Sequence, residues 1–319
     1  MNTIGILTSG GDAPGMNSAI RAAVRTALNN GMRIKGIRNG YDGLMKGDIY
    51  EMNVSSVADI IHKGGTILGT ARSTDFKNKE GQERGAQILS DYGIEGLIVI
   101  GGDGSFKGAK ALSDLGIKTI GIPGTIDNDM GYTDYTIGFF TAIETVIDAI
   151  GKLRDTSSSH GRAVVIEVMG RNCGDLGLYS GLAGGAESII VPEHEFSIDD
   201  IVEKMEHGRK RGKLHHLITL AEGVGDPYSI ARELEERTGI ETKVTILGHV
   251  QRGGAPSSVD RLLGSTMGSR AVELLLEEKT GLAIGYVDGK LIEVDIDQAV
   301  GKKSQFDENL YELANNLSK

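Results

Sequence analysis

The chain has 319 residues, of which 39% are hydrophobic and 24% charged, an ordinary globular composition that excludes a disordered polymer and, at this length, leads us to expect two domains. A net charge of −10 argues against non-specific binding to nucleic acid or to an anionic membrane, and leaves small phosphorylated ligands open. The lone Cys173 excludes an internal disulfide framework, no run approaches the roughly 18 apolar residues that span a bilayer, and the opening residues lack a leader pattern, so a cytoplasmic compartment is expected.

The first β-branched run, Thr3 to Thr8, leads into Ser9-Gly10-Gly11-Asp12-Ala13-Pro14-Gly15, with a helix expected from about Asn17. Glycines at a strand end before a helix let backbone N–H groups approach an anion, although a tight turn has the same composition. On that helix Arg21 and Arg25 are four apart and share a face, which is either solvated or closed over an anion. A second strand covers Arg33 to Arg38. Arg72, in Gly69-Thr70-Ala71-Arg72, is a candidate phosphate partner or a surface arginine.

The strand Gly96 to Ile100 ends in Gly101-Gly102-Asp103-Gly104-Ser105, where Asp103 offers a hard oxygen suited to magnesium. Neither glycine loop has the spacing of a P-loop with its lysine or of a dinucleotide fingerprint, so phosphates would be held by backbone N–H groups, arginines and a metal. The strand Lys118 to Ile122 ends in Pro123-Gly124-Thr125-Ile126-Asp127-Asn128-Asp129. Phosphoryl transfer to a hydroxyl calls for a carboxylate beside the acceptor oxygen, and Asp127 is the candidate base. Asp129 would point to the same side if the segment stays extended; the competing reading is an Asx-rich turn.

Apolar residues at helical spacing from Phe139 to Asp155 predict a long amphipathic helix able to link two domains. Further strands are expected at Ala163 to Met169, Glu187 to Val191, Leu217 to Ala221 and Val244 to Leu247. Several strands are apolar on both faces and separated by helical segments, so the class is α/β, with doubly wound, mainly parallel sheets. Ligands of such sheets collect at the carboxyl ends of the strands, where the candidate loops lie.

Three motifs, the Gly101 to Ser105 loop, the Pro123 to Asp129 segment and Leu247-Gly248-His249-Val250-Gln251-Arg252-Gly253-Gly254, together resemble the bacterial ATP-dependent 6-phosphofructokinases, in order and spacing over essentially the whole chain. The resemblance implies transfer of the γ-phosphoryl of MgATP to the 1-hydroxyl of fructose 6-phosphate in glycolysis, by a homotetramer with active and effector sites shared between subunits. It implies an ATP domain over residues 1–138 and 251–305, a sugar-phosphate domain over 139–250 and 306–319, and an active site in the cleft between them.

Carried over by motif, Gly11, Arg72, Ser73, Gly102, Asp103, Gly104 and Ser105 would bind ATP, with Asp103 serving Mg2+ and Tyr41 near the nucleotide. Thr125, Asp127, Asp129 and Arg171 would surround the transferring group, Gly11 and Arg72 assisting. Met169, Gly170 and Glu222 would hold the sugar. Its 6-phosphate would meet His249 and Arg252, with Arg162 and Lys243 of a neighbouring subunit. Arg21, Arg25, Arg154, Gly185, Glu187, Arg211, Lys213 and His215 would form an interface site for ADP or phosphoenolpyruvate.

Pyrophosphate-dependent relatives typically carry aspartate at the place of Gly104 and lysine at the place of Gly124, so the two glycines imply ATP as donor. The chain departs from the resemblance at Gly161, where bacterial relatives have glutamate or glutamine, at Lys243, where arginine is usual, and at Leu214, often basic. Catalysis with weakened effector control and weakened cooperativity is therefore expected. A lipid or nicotinamide-dinucleotide kinase would share the Gly-Gly-Asp-Gly loop but not the other motifs. A non-catalytic nucleotide sensor would be expected to lack Asp103 or Asp127, and both are present. Cys173 is expected to be a packing residue, since phosphoryl transfer needs no thiolate.

Overall fold

The computed structural model describes residues 1–318. In chain order its elements are β1 (Thr3–Ser9), α1 (Met16–Asn29), β2 (Arg33–Ile37), α2 (Gly40–Lys46), β3 (Ile49–Met52), α3 (Lys79–Asp91), β4 (Gly96–Gly101), α4 (Asp103–Asp114), β5 (Lys118–Pro123), α5 (Phe139–His160) and β6 (Ala163–Val168). There follow α6 (Asp175–Gly184), β7 (Ser188–Ile190), α7 (Ile198–Lys210), β8 (His216–Ala221), α8 (Pro227–Thr238), β9 (Thr242–Ile246), α9 (Ser258–Leu276), β10 (Leu282–Val287), β11 (Lys290–Asp295), α10 (Ile296–Ala299) and α11 (Glu308–Leu317).

The chain divides into two compact units. The first comprises Met1–Ile126, Met130–Thr141 and Arg252–Lys303. It is built on a seven-stranded sheet of order β11-β10-β5-β4-β1-β2-β3, parallel except for its two edge strands. β1, β4 and β5 occupy the middle, and β1 and β4 are buried along their whole length, which is why their sequences read as unbroken apolar runs. Leu7, Leu44, Leu97, Val99 and Phe106 pack one face of this core. Each such side chain, removed from water, contributes roughly 1.5–3 kcal/mol.

On α9, Gly264 and Gly268 let that helix close on α1: a Cβ at Gly268 would stand 2.3 Å from the Ala19 carbonyl oxygen. α9 also supplies Asp260, a fully buried carboxylate that takes the backbone N–H groups of Gly138 and Thr141 and the hydroxyls of Thr141 and Ser257. Four donors offset the cost of burying that charge, and two of them are orphan N–H groups at the start of α5.

The second unit comprises Asp127–Asp129, Ala142–Gln251 and Ser304–Lys319. Its four-stranded sheet, of order β7-β8-β6-β9, is parallel throughout. Val165, Ile190, Ile218, Leu220, Met205 and Leu234 form its core under α7 and α8. The division sets Asp127–Asp129 with the second unit, whereas the sequence boundary at residue 138 would leave them in the first. The reason is local: the three residues bond to Arg171 and Asp175.

The α/β class with mainly parallel sheets is as expected from sequence. Three strands were not anticipated: β3, β10 and β11. α5 runs five residues past the expected end at Asp155, to His160. No helix among the described residues is long and apolar enough to cross a membrane.

Candidate active site

In the first unit two glycine loops lie on neighbouring strands. β1 and β4 pair in register up to Ser9 and Gly101, so the loops that follow start side by side. Gly10 has φ +88 and Gly101 has Ser105 Oγ and the Ser9 carbonyl 2.4 Å from where its Cβ would be, so neither position accepts a side chain without movement. Ser105 is buried, and its hydroxyl fills the space between the loops instead of facing solvent. The segment carrying Arg72 is tied to the same place, since Thr70 Oγ1 donates to the Gly10 carbonyl at 2.7 Å. Arg72 itself is exposed, and Ser73 Oγ accepts the Phe76 N–H in the turn that follows.

Asp103 opens α4, where a carboxylate is favoured by the helix dipole. Its Oδ1 accepts the Gly301 N–H at 2.7 Å and its Oδ2 pairs with Lys107 at 2.7 Å. Gly102 caps that helix in an extended conformation, and a Cβ at Gly104 would meet open space. Gly124 differs: its Cβ would point at Met16 Cε, 3.0 Å away, and Ile100 Cγ2, 3.1 Å away. Core packing therefore favours a small residue here, independently of any space needed by a nucleotide. Thr125 is fixed by its N–H to the Ile137 carbonyl and by the Thr136 hydroxyl on its own carbonyl.

Two further residues pack against these loops. Tyr41 is buried, stacks on Phe76 at 4.2 Å and donates to the Ser105 carbonyl at 2.7 Å; burial pushes its phenol well above the usual range, so it supports the loop from beneath. Arg252 lies over Gly11, whose Cβ would be 1.9 Å from its Nη1, and it faces the Asp12 carboxylate at 3.6 Å.

In the second unit Asp127 is 1% exposed and its Oδ2 faces Arg171 Nε at 3.3 Å, while Arg171 Nη1 lies 3.8 Å from Asp129 Oδ2. One guanidinium therefore serves both carboxylates. Asn128 has φ +52, so the segment is not extended, and Asp127 and Asp129 come together through Arg171 instead of strand alternation. The Asn128 side chain donates to Asp175 Oδ2 at 2.9 Å, and the Cys173 thiol faces the Asn128 carbonyl. Burial raises the Asp175 carboxyl to about 6, against the hydrogen bonds from Asn128 and Ser304 that favour its charged form. Burial likewise pushes the Cys173 thiol to about 12, which leaves it protonated and supports its packing role.

Arg171 itself has φ +55, uncommon for a residue with a side chain, and is held there by its N–H to Glu222 Oε1 at 2.9 Å. Met169, Gly170 and Arg171 form the turn at the carboxyl end of β6; Gly170 has φ +139 and its Cβ would meet the Cys173 carbonyl at 2.5 Å. Glu222 follows β8, and His249 is exposed in the 3-10 turn Gly248–Arg252 after β9. Arg162 and Lys243 lie at the opposite, amino end of the same sheet, each close to Glu241, at 3.8 and 2.6 Å. Six strand residues separate the two ends, roughly 20 Å.

The second unit also gathers part of the expected effector set. Glu187 is buried, takes the Leu217 N–H, and faces Lys213 Nζ at 2.6 Å and His215 Nε2 at 3.6 Å. Burial lowers the His215 pKa while Glu187 opposes that shift. Arg154 donates to the Gly185 carbonyl at 2.9 Å, where Gly185 closes α6 with φ +68. Arg211 is exposed just after α7, and Arg21 and Arg25 lie on α1 of the first unit. Asn128, Asp175 and Gln251, none of them singled out from the sequence, contribute the buried side-chain bonds around the Arg171 turn.

The phosphofructokinase family profile matches residues 3–275. The chain is 70% identical over its full length, and that of the relative, to an ATP-dependent 6-phosphofructokinase of Finegoldia magna. It is 61% identical, again over both full lengths, to one of Clostridium tetani. Among solved structures, Pichia pastoris phosphofructokinase aligns with a TM-score of 0.89 at 35% identity, over 99% of this chain and 38% of that longer one. A pyrophosphate-dependent phosphofructokinase of Marinobacter aquaeolei aligns with a TM-score of 0.85 at 22% identity, over 97% of this chain and 86% of that one, which speaks to the fold alone.

Proposed function

The chain belongs to the phosphofructokinase family, and from that premise we infer that it transfers the γ-phosphoryl of ATP to the 1-hydroxyl of fructose 6-phosphate, yielding fructose 1,6-bisphosphate and ADP in glycolysis. The observation that carries the chemistry is the buried Asp127 carboxylate beside the Arg171 guanidinium. Asp127 orients the sugar hydroxyl and takes its proton, Arg171 balances charge on the phosphoryl oxygens, and Asp129 and Thr125 hold this arrangement. Met169, Gly170 and Glu222 position the sugar.

The loops of Gly11 and of Gly102 to Ser105, with Arg72 and Ser73, hold ATP through backbone N–H groups and one flexible cation. Among the described residues no group of three His, Cys, Asp or Glu side chains could cage a metal. A single hard carboxylate, Asp103, fits Mg2+, which keeps much of its water and binds chiefly through phosphates. When bound, Mg2+ neutralises charge on the phosphate oxygens; Lys107 would give up Asp103 Oδ2 to it.

His249 and Arg252 take the 6-phosphate, the latter exchanging Asp12 for it. Arg162 and Lys243 sit too far along the sheet to join His249 within one chain, which supports a homotetramer in which they serve a neighbouring subunit. The cluster around Glu187, with Arg21, Arg25, Arg154, Gly185, Arg211, Lys213 and His215, is proposed to bind ADP or phosphoenolpyruvate. Effector control is weakened because Gly161, with nothing within 4 Å of its Cβ position, presents no charge, and Lys243 offers a point charge in place of a fork. The compartment is cytoplasmic.

The test is a coupled assay of ADP release by purified protein with MgATP and fructose 6-phosphate. Binding of MgATP without ADP release would favour a sensor, and faster turnover with pyrophosphate would overturn the choice of donor.

A further inference from the structure

Gln251 is completely buried, although its neighbours Val250 and Arg252 are not. Its carboxamide uses both ends. Oε1 accepts the Met169 N–H at 3.1 Å, and Nε2 donates to the Gly248 carbonyl at 2.9 Å. The first bond reaches the turn Met169-Gly170-Arg171 after β6, and the second closes the 3-10 turn that presents His249. β6 and β9 are adjacent parallel strands, so the two turns emerge side by side, with the Leu247 N–H on the Glu167 carbonyl as the last ladder bond. Beyond that bond the Gln251 carboxamide spans them.

We propose that Gln251 is a positioning residue for the sugar phosphate: its carboxamide sets the spacing between the Met169 turn and the His249 turn, so that the two grip one ligand. This rests on the reading of those turns as the fructose 6-phosphate site. A carboxamide suits the task because it offers one acceptor and one donor in a fixed plane, and a buried amide that lost either partner would pay its full desolvation.

The test uses the full-length protein with Q251M and Q251E. Q251M keeps length and burial but removes both bonds; the KM for fructose 6-phosphate should rise about tenfold, the usual consequence of a lost buried hydrogen bond, with the KM for ATP within about twofold of wild type. Q251E keeps the acceptor for Met169 but sets a carboxylate oxygen against the Gly248 carbonyl. Its protonated form restores an O–H donor, and burial raises the pKa of such a group. The KM for fructose 6-phosphate of Q251E should therefore fall several-fold between pH 8.5 and 6.5 relative to wild type at the same pH.

A role in folding alone would not give that pH-dependent recovery. An unchanged KM for fructose 6-phosphate in folded Q251M, an equal change in both KM values, or failure of both variants to fold would each overturn the proposal. A wild-type protein inactive with fructose 6-phosphate and MgATP would instead overturn the functional reading itself, which keeps the two failures apart.

Discussion

Asp175 is 4% exposed and holds the Asn128 side chain, so its ionisation should be readable in the stability of the fold. Burial lifts its pKa from 3.8 to about 6. A raised folded-state pKa means the folded chain binds the proton more tightly than the unfolded chain. The stabilisation is thus complete below 3.8 and is lost as pH rises through 6. The whole window is worth about 3 kcal/mol, at about 1.4 kcal/mol per unit. Between pH 8 and pH 5 the share is about 1.4 kcal/mol, because at pH 5 the folded group is mostly protonated and the unfolded one is not. Asp175→Asn removes the titration and keeps an acceptor for Asn128. Thermal unfolding of both proteins at pH 5 and pH 8 gives the difference directly. D175N should gain on wild type by about 1.4 kcal/mol on going from pH 5 to pH 8, roughly 2 °C in melting temperature for a chain of this size. Melting curves of D175N and wild type that stay parallel across this range would refute the reasoning, whatever constant offset the substitution introduces.

Asp127→Asn should lower kcat by about two to four orders of magnitude through loss of the base, with ATP binding measured by calorimetry little changed. Gly104→Asp should fold with wild-type stability because its Cβ meets open space, whereas Gly124→Lys should lose about 1–3 kcal/mol by overpacking against Met16 and Ile100; urea unfolding separates the two. His216 is buried with its pKa lowered to about 4, so the stability that its neutral form contributes is present above 6.5 and lost as pH falls toward 4. His216→Gln, which can still meet Ser188, should show less acid destabilisation in that window than wild type by differential unfolding. Initial rates against fructose 6-phosphate should follow a near-hyperbolic curve that phosphoenolpyruvate shifts only slightly near neutral pH; strong sigmoidality would contradict weakened control.

What was legible in the sequence and what was not divides by physical cause. β1, β4 and β5 are legible because strands buried on both faces must be apolar throughout, and the loop after β1 because Gly10 and Gly15, with φ +88 and +106, take the left-handed backbone that favours glycine. β10 and β11 are half-exposed, so no unbroken apolar run marks them, yet their turn carries a signal: Asp288 and Gly289, with φ +50 and +78, are the Asp-Gly pair of a two-residue hairpin. β3 has one fully buried residue and offered no comparable pattern. The left-handed backbone of Asn128 agrees with the Asx-rich turn weighed for its segment, whereas that of Arg171 was not legible, since the Glu222 carboxylate that holds it is 51 residues away. Nor was Gln251, whose partner Met169 is 82 residues distant.

Gly124 shows why such cases matter for reading function. By residue identity it argues for ATP over pyrophosphate; by position it is a packing residue of the first core, pressed by Met16 and Ile100. Gly104 carries no such packing constraint, because nothing lies within 4 Å of its Cβ position. A donor preference written in these two glycines should therefore be separable: G104D tests the nucleotide loop in an intact fold, while G124K perturbs the sheet first and the donor only afterwards. If G104D alone lowers the rate with ATP at unchanged melting temperature, the donor is read at the start of α4. An unaltered rate with ATP in G104D would instead leave the glycine pair without force as an argument for the donor. The preference would then rest on the full-length likeness to ATP-dependent relatives.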